Sequence, residues 1–355
     1  MSTTRRRPPR HFAIVGAGIA GLACARTLRQ AGQQVSVFDC AEVVGGRMAT
    51  LDSPFGSFDT GAQYFTVRDA RFTRALEATA PDIARRWSAS AVRVLDAEGR
   101  VVEAPPPPRE AHWVAAPSMR ALPERWAAPL LAGGALSLDT RVLRVERDSM
   151  DPTRWQLLTQ SSHDANPVRA GFDSVILALP ASDVRELLSN SKQLADMAAP
   201  LAAVDAAPCW TLTVAYPNAA QPGLYTLGPQ WNAARSTHHR VSWLARESSK
   251  PGRAQVERWT IQASPEWSRE HEGDDAPRIT DKLLKAFAEI TGIRATPSYA
   301  HAQLWHQAQT MKPLGQPFVW DAPRQIGVCG DWCIGNRVEH AFISGLDLAL
   351  AALAR

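Results

Sequence analysis

Long apolar runs are missing from this chain of 355 residues. No stretch approaches the ~18–20 consecutive apolar residues that a membrane helix needs, so no helical membrane span is expected. An apolar start followed by a cleavage site is missing too, which predicts no secretory leader. Arg5 and Arg6 mimic a twin-arginine start, but a glycine-rich motif follows them where a signal core would stand. Cysteine is sparse. Cys24, Cys40, Cys209, Cys329 and Cys333 are scattered, odd in number and include no CxxC pair. That spacing argues against a disulfide framework and predicts a reduced, cytoplasmic setting. Charge of either sign is nearly balanced, Lys+Arg 39 against Asp+Glu 35 for a net +4. The cluster Arg5, Arg6, Arg7 and Arg10 accounts for the excess. It reads as a flexible basic tail over residues 1–10, so no nucleic-acid partner is expected. Walker, G-x-S-x-G and HExxH motifs are all lacking. His301 with His306, and His238 with His239, have no matching set at ligand spacing, so no metal site is expected.

What is present is globular. Hydrophobic residues make up 45% and charged residues 21% of the chain, and the length predicts roughly two domains. Residues 11–16 read as a buried strand, 18–31 as a helix with small residues on one face, and 34–38 as a second strand, a compact β-α-β unit. Pro105–Pro108 reads as a surface loop or linker. A helix is expected over 116–131 and a hairpin from Val142–Arg147 and Trp155–Thr159. Val175–Leu179 and Ile326–Cys329 read as short buried strands. Residues 210–216 and 241–262 alternate like antiparallel strands. Ile279–Ile290 has a 3.6-residue period, and Gly345–Leu353 reads as a closing helix. Twelve Trp stand against four Tyr, which predicts large flat contacts or simple core filling. No internal repeat is visible.

Gly16-Ala17-Gly18-Ile19-Ala20-Gly21 matches G-x-G-x-x-G in its required context of strand, helix, strand and acid. Gly16 permits the tight turn, Gly18 lets the backbone approach a pyrophosphate, and Gly21 lets the helix pack on the strand. The helix N-terminus offers free N–H groups to that anion. Asp39, 18 residues after Gly21, is placed to accept from a ribose diol. Val44-Gly45-Gly46-Arg47-Met48 follows. Its glycines let backbone and guanidinium close on the same pyrophosphate, whose oxygens suit the planar Arg fork. A G-x-G-x-x-G followed by GGR is typical of FAD proteins and less so of NAD dehydrogenases. Near the other end, Gly330-Asp331-Trp332 offers a carboxylate after an apolar strand. Amides at the start of the closing helix, after Arg337-Val338-Glu339, suit the flavin edge that becomes anionic on reduction.

On these residues the chain resembles renalase and its bacterial relatives, within the wider amine-oxidase-like flavoproteins. The likeness is carried by Gly16–Gly21, Gly45–Thr50, Asp59-Thr60-Gly61-Ala62-Gln63-Tyr64-Phe65, Ser248–Arg253, Ala263–Ser268 and Cys329–Cys333 with Gly335–Glu339. It implies a Rossmann-type FAD-binding domain of the glutathione-reductase-like variant, α/β in class, with an inserted antiparallel substrate domain of amine-oxidase type. The expected division gives 11–80, 135–200 and 322–355 to the FAD-binding domain, and 81–134 and 201–321 to the substrate domain. The resemblance also implies non-covalent FAD and oxidation of the 2- and 6-dihydro isomers of NAD(P)H, with dioxygen reduced to hydrogen peroxide. By position, Ala20, Arg47, Gln63 and Tyr64 fall where the family contacts flavin. The full expected cofactor set is Gly16, Ala17, Gly18, Ala20, Gly21, Asp39, Gly46, Arg47, Met48, Gln63, Tyr64, Val142, Gly330, Asp331 and Val338. Two departures stand out: His306 where Arg is common, and Asn336 where Gly is frequent.

A dihydronicotinamide needs little acid–base help, because its ring nitrogen expels hydride as the pyridinium becomes aromatic. The protein must stack the ring and exclude water. Trp305, His306, Tyr64 and Gln63 are the catalytic candidates. The competing readings are a core role for Trp305, an exposed or satisfied imidazole for His306 and packing alone for Tyr64. The rival enzyme is a flavin amine oxidase acting on a small amine or amino acid. Many of those place a Lys near the flavin. Among Lys192, Lys250, Lys282, Lys285 and Lys312, only Lys312 lies near an expected site strand, and Lys250 reads as part of a polar turn. A flavin-binding redox sensor without turnover is the non-enzyme alternative.

Overall fold

A computed structural model describes residues 8–87, 92–102, 110–162, 167–220, 229 and 231–354. The chain divides into two compact units. The first runs through Gly46, takes in Pro123–Asp205 and resumes at Lys312; the second comprises Arg47–Leu122 and Ala206–Met311.

The first unit is built on strand β1 (His11–Val15), helix α1 (Ile19–Gln30) and strand β2 (Gln34–Phe38). Phe12 to Val15 are all buried, as expected of a strand covered on both faces of a parallel sheet. β1 and β2 pair in parallel from His11↔Gln34 to Val15↔Phe38. Six strands run in the order Val319–Asp321, Ile326–Val328, Ser174–Leu177, β1, β2 and Leu136–Ser137. All these pairings are parallel except that of Val319–Asp321 with Ile326–Val328. The closing helix, Val338–Leu353, starts earlier than its Ala/Leu-rich stretch predicts and packs on α1. A Cβ on Gly345 would overlap the Ala20 carbonyl oxygen, so the two helices touch backbone to backbone there. The expected hairpin forms from Thr140–Arg147 and Trp155–Ser161, and Val168–Phe172 joins it as a third antiparallel strand.

The second unit centres on a six-stranded sheet in the order Tyr299–Lys312, Asp205–Tyr216, Glu257–Ala263, Val241–Arg246, Ala233–Ser236 and Val92–Leu95. The alternation of 210–216 yields the expected antiparallel strand, within Asp205–Tyr216, but not an alternation of burial. Ala207 to Tyr216 are all buried. Leu212, Val214 and Tyr216 enter a core with Trp259 and Phe287, while Thr211 and Thr213 are buried on the other face. Helix Ala276–Thr291 buries Ile279, Leu283, Phe287 and Ile290 against that core. Asp275 caps its start, accepting from the Arg278 amide at 2.8 Å, and Gly292 ends it with φ 76°.

The α/β class with a dinucleotide-binding unit assembled from both parts of the chain matches the expectation. Several details differ. Arg10 is not part of a free tail: its main-chain N–H donates to Gln33 Oε1 at 2.8 Å and its guanidinium to Gln325 Oε1 at 2.9 Å. Arg5, Arg6, Arg7 and the Pro105–Pro108 run lie outside the described residues. The helix expected at 116–131 begins at Ala121, because the Met119 amide is taken by Asp59 Oδ1 at 2.9 Å. Residues 47–80 group with the second unit, where Asp59 is bound by Lys250 and Arg253. Residues 123–134 and 312–321 group with the first, through Trp126 on Phe342 and the pairing of Val319–Asp321 with Ile326–Val328.

Candidate active site

In the first unit the candidate residues gather at the C-terminal ends of parallel strands, where open α/β sheets bind ligands. Gly16 has φ +107°, and a Cβ there would overlap the Ala178 carbonyl oxygen. A Cβ on Gly21 would overlap the carbonyl oxygen of Gly16 itself. Gly18 is different: a Cβ there meets nothing within 4 Å. Two glycines are therefore needed for packing, and the third opens onto free space at the start of α1. Gly18 is the N-cap of α1, without a side-chain cap and with no acid in the first turn. The first-turn N–H groups thus keep their positive field for an anion.

Asp39 closes this cradle. Its Oδ2 accepts from the Ala17 amide at 2.6 Å and its Oδ1 from the Ala41 amide at 2.8 Å. Burial pushes the carboxyl up, against these two donors, which hold it down. Each oxygen keeps a lone pair for a further donor such as a ribose hydroxyl. Gly45 N–H donates to the Ala17 carbonyl at 3.1 Å, and a Cβ on Gly46 would lie 3.6 Å from Gly18 Cα. Thr140 N–H donates to the Asp39 carbonyl at 2.8 Å, which brings up the strand carrying Val142. Gly330 follows Ile326–Val328, and its N–H donates to Ser344 Oγ at 2.9 Å. Asp331 is buried, and its carbonyl accepts from the Gly335 amide at 2.7 Å. Val338 begins the closing helix, whose N-cap Arg337 makes no side-chain cap.

The second unit holds Arg47, Met48, Gln63, Tyr64, Trp305 and His306. Arg47 Nη1 reaches the Gln307 carbonyl at 3.5 Å, and Met48 is buried. A Cβ on Gly61 would overlap the Arg47 carbonyl oxygen, so the Asp59–Phe65 segment lies directly on Arg47. Trp305 is half-buried, and its Nε1 donates to the Thr60 carbonyl at 3.1 Å. His306 falls on the opposite face of its strand. It is 75% exposed, with Nδ1 3.2 Å from Glu272 Oε1. Gln63 is buried, and its amide is occupied inside the protein: Nε2 donates to the Asp59 and Gly61 carbonyls, and Oε1 accepts from Lys250 Nζ at 3.2 Å. Of the four expected catalytic side chains, Tyr64 and Trp305 remain as flat, half-buried rings. Gln63 and His306, the other two candidates, have polar atoms engaged by these contacts.

Lys250 is the residue that sequence reasoning missed. It is not in a solvated turn. Its ammonium is fully buried, bonded to Asp59 Oδ2 at 3.0 Å, Glu247 Oε1 at 2.9 Å and Gln63 Oε1, three acceptors for three N–H donors. Arg253 Nη2 adds a second cation to Asp59 Oδ2 at 2.6 Å. Burial alone would push the Asp59 carboxyl up; Lys250 and Arg253 outweigh it and hold the group below its ordinary range. Glu247 goes the other way. Burial pushes it up, and the nearby Asp59 charge adds to the shift against Lys250. The sequence offers only an acid, Asp59, directly after an aromatic Phe58, a pairing that calls for a partner when the segment is buried. Among the described residues no cluster of three His, Cys, Asp or Glu could hold a metal, and no helix is long and apolar enough to cross a membrane.

Family models match two stretches. Residues 14–78 match a NAD(P)-binding Rossmann-like domain, and residues 109–352, more than half of the chain, match flavin containing amine oxidoreductase. The chain belongs to the flavin-containing amine oxidoreductases. Proteins alike to it in short stretches include a putative L-amino-acid oxidase of Bacillus subtilis, 43% identical over 47 residues. That alignment covers 13% of this chain and 10% of the relative. A phytoene dehydrogenase of Streptomyces griseus is 42% identical over 66 residues, 19% of this chain and 13% of that protein. The matches thus span about a tenth of these relatives' length. Among solved structures, a putative protoporphyrinogen oxidase from Exiguobacterium superposes with TM-score 0.76 at 14% identity, covering 99% of this chain and 100% of that one. Cyclohexylamine oxidase from Brevibacterium oxydans gives 0.71 at 14% identity, over 98% and 100%. These likenesses show the shared fold. Family membership implies a flavin. The first unit fits one: the open face at Gly18, the uncapped start of α1 and the Asp39 carboxylate match pyrophosphate and ribose in kind.

Proposed function

We propose that this flavin-dependent oxidoreductase is an oxidase of renalase type, acting on the 2- and 6-dihydro isomers of NAD(P)H. Its cofactor is FAD, held without a covalent bond. Gly16–Gly21 and the start of α1 take the pyrophosphate and Asp39 the ribose. Gly330, Asp331 and the helix start at Val338 complete the set. FAD, when bound, supplies the hydride acceptor. The substrate ring loses hydride and becomes a pyridinium. The two electrons and a proton taken up with them end, with a second proton, on dioxygen as hydrogen peroxide.

The chain's own part is to orient and to exclude water. The observation that carries this reading is the Trp305 indole on the Thr60 carbonyl. It fixes a flat, half-buried ring beside the segment that resembles the family's flavin contact. The buried carboxylates Asp59, in that segment, and Glu247 are engaged by Lys250 and Arg253. A hydride donor that aromatises on reaction does not require them as bases.

Anaerobic mixing of the flavin-loaded protein with candidate reductants tests the proposal. Fast bleaching of the band near 450 nm, at about that wavelength for oxidised flavin, is expected from 2- or 6-dihydro-NAD(P). Amines and ordinary NADH should leave it coloured. Bleaching by an amine instead would sink the proposal in favour of amine oxidation. Bleaching by no reductant would leave a redox-sensing flavin binder.

A further inference from the structure

Three side chains from separate strands of the second unit meet at Tyr64. Its ring centroid lies 4.2 Å from that of His112 and 5.4 Å from that of Trp243. Its Oη accepts from Arg235 Nη2 at 3.2 Å. His112 lies in His112–Ala115, while Arg235 and Trp243 face each other as register partners of neighbouring strands. Tyr64 is half-buried and Arg235 exposed, so the group reaches from the surface into the interior.

Two nitrogens in this group have no hydrogen-bond partner among the described residues: His112 Nδ1 and Trp243 Nε1, on residues 6% and 8% exposed. Four other indoles of the same unit have acceptors. Trp87 donates to Ser249 Oγ, Trp210 to the His271 carbonyl, Trp259 to Glu257 Oε1 and Trp305 to the Thr60 carbonyl. A buried polar atom left unpaired is costly, and each one calls for an explanation.

The donors define what fits. Trp243 Nε1 can only donate, and Arg235 carries a permanent positive charge. Burial first, and then the Arg235 charge, push the His112 imidazole below its ordinary range, with Glu110 opposing. His112 is therefore neutral and can donate or accept. Glu110, the carboxylate two residues before it, is itself bound by Arg68. An aromatic pair can hold a cation, but Arg235 in contact with Tyr64 repels one.

We infer that Trp243, His112 and Arg235, arranged round the Tyr64 ring, form a recognition site for a flat ligand that presents carbonyl, carboxylate or phosphate oxygens, and that they select against an ammonium. A ligand reaches the two closed nitrogens by displacing the Tyr64 ring. The inference rests on the proposed function for its fullest form, in which the carboxamide of a dihydronicotinamide meets Trp243 and a phosphate meets Arg235.

The test is calorimetric titration of the flavin-loaded protein with nicotinate, nicotinamide and benzylamine. Trp243→Phe keeps the ring and removes its donor; Arg235→Gln removes an exposed charge and preserves the fold even if Trp243→Phe does not. Wild type should bind nicotinate and nicotinamide and leave benzylamine unbound. Arg235→Gln should weaken nicotinate, and Trp243→Phe both pyridine ligands, by roughly tenfold, the fold-change of one hydrogen bond to a strong partner. Unchanged binding by a folded variant overturns the inference. So does tighter binding of benzylamine, or binding of none of the probes. Should dihydro-NAD(P) fail to reduce the flavin while both variants lose nicotinate, the proposed function falls and this site stands. Should both variants oxidise dihydro-NAD(P) with wild-type KM, the site falls and the function stands.

Discussion

The first unit prepares its ligand-binding residues through the main chain; the second prepares its own through buried charge. Around Gly16, Gly18 and Gly21 the important property is the missing side chain, and the donors are backbone N–H groups at the start of α1. Around Asp59 it is the reverse. Lys250, Arg253, Glu247 and Gln63 fill the space with polar atoms that hold the Asp59–Gln63 segment in one shape. The first device tolerates no added atom at Gly16 or Gly21, and the second no lost one.

That contrast can be broken most directly at Lys250. Lys250→Met removes one charge and leaves Asp59 and Glu247 buried together, so unfolding by denaturant should show a loss of about 3–5 kcal/mol. A loss below about 1 kcal/mol would mean the cluster is not the support described. Next come the glycines. Gly21→Ala forces a Cβ against the Gly16 carbonyl and should cost about 1–3 kcal/mol along with flavin retention. Gly18→Ala should leave stability within about 0.5 kcal/mol yet weaken flavin binding roughly tenfold, because its Cβ enters open space where a pyrophosphate approaches. Equal effects on folding from the two substitutions would erase the distinction between packing glycine and binding glycine.

Acid titration separates the two carboxylates. Asp59 is held below its ordinary range, so its contribution to stability is complete above about pH 4, the unfolded value, and is lost as pH falls through the folded value. Glu247 is pushed up, so its contribution is complete below about pH 4.3 and is lost as pH rises through the folded value. Asp59→Asn should therefore flatten the acid limb of a stability–pH curve, and Glu247→Gln should flatten the rise in its cost toward neutrality. The same change in both curves would show that the pair does not divide in this way. The smallest effect belongs to His306→Ala. Exposed beside Glu272, it should shift the melting midpoint by no more than about 0.5 kcal/mol of stability allows.

The division between the units also explains what was readable in advance. Gly16, Gly18, Gly21 and Asp39 announce themselves because each obeys a local demand of turn, helix start or strand end, within a few tens of residues. The β-α-β unit, the hairpin and the amphipathic helix Ala276–Thr291 follow from short-range pattern in the same way. Lys250 was invisible because its partners Asp59 and Gln63 are 191 and 187 positions away, and no periodicity spans that distance. Alternation over 210–216 foretold an antiparallel strand but not its burial, since a strand covered on both faces hides its Thr residues as deeply as its Leu and Val. Trp305 and His306 looked equivalent as neighbours, yet a strand turns successive side chains to opposite faces. Arg10 looked like more of the same basic tail, and only the side chains of Gln33 and Gln325 distinguish it.

The backbone contact of Gly345 with Ala20 bears on how the protein comes into being. α1 precedes the helix that seals its Ala20 face by most of the chain's described length, so it is translated well before that cover exists. A nascent chain stalled short of Gly345 carries the dinucleotide turn on a helix still open along that flank, so the cofactor cradle is complete only once Val338–Leu353 has been made.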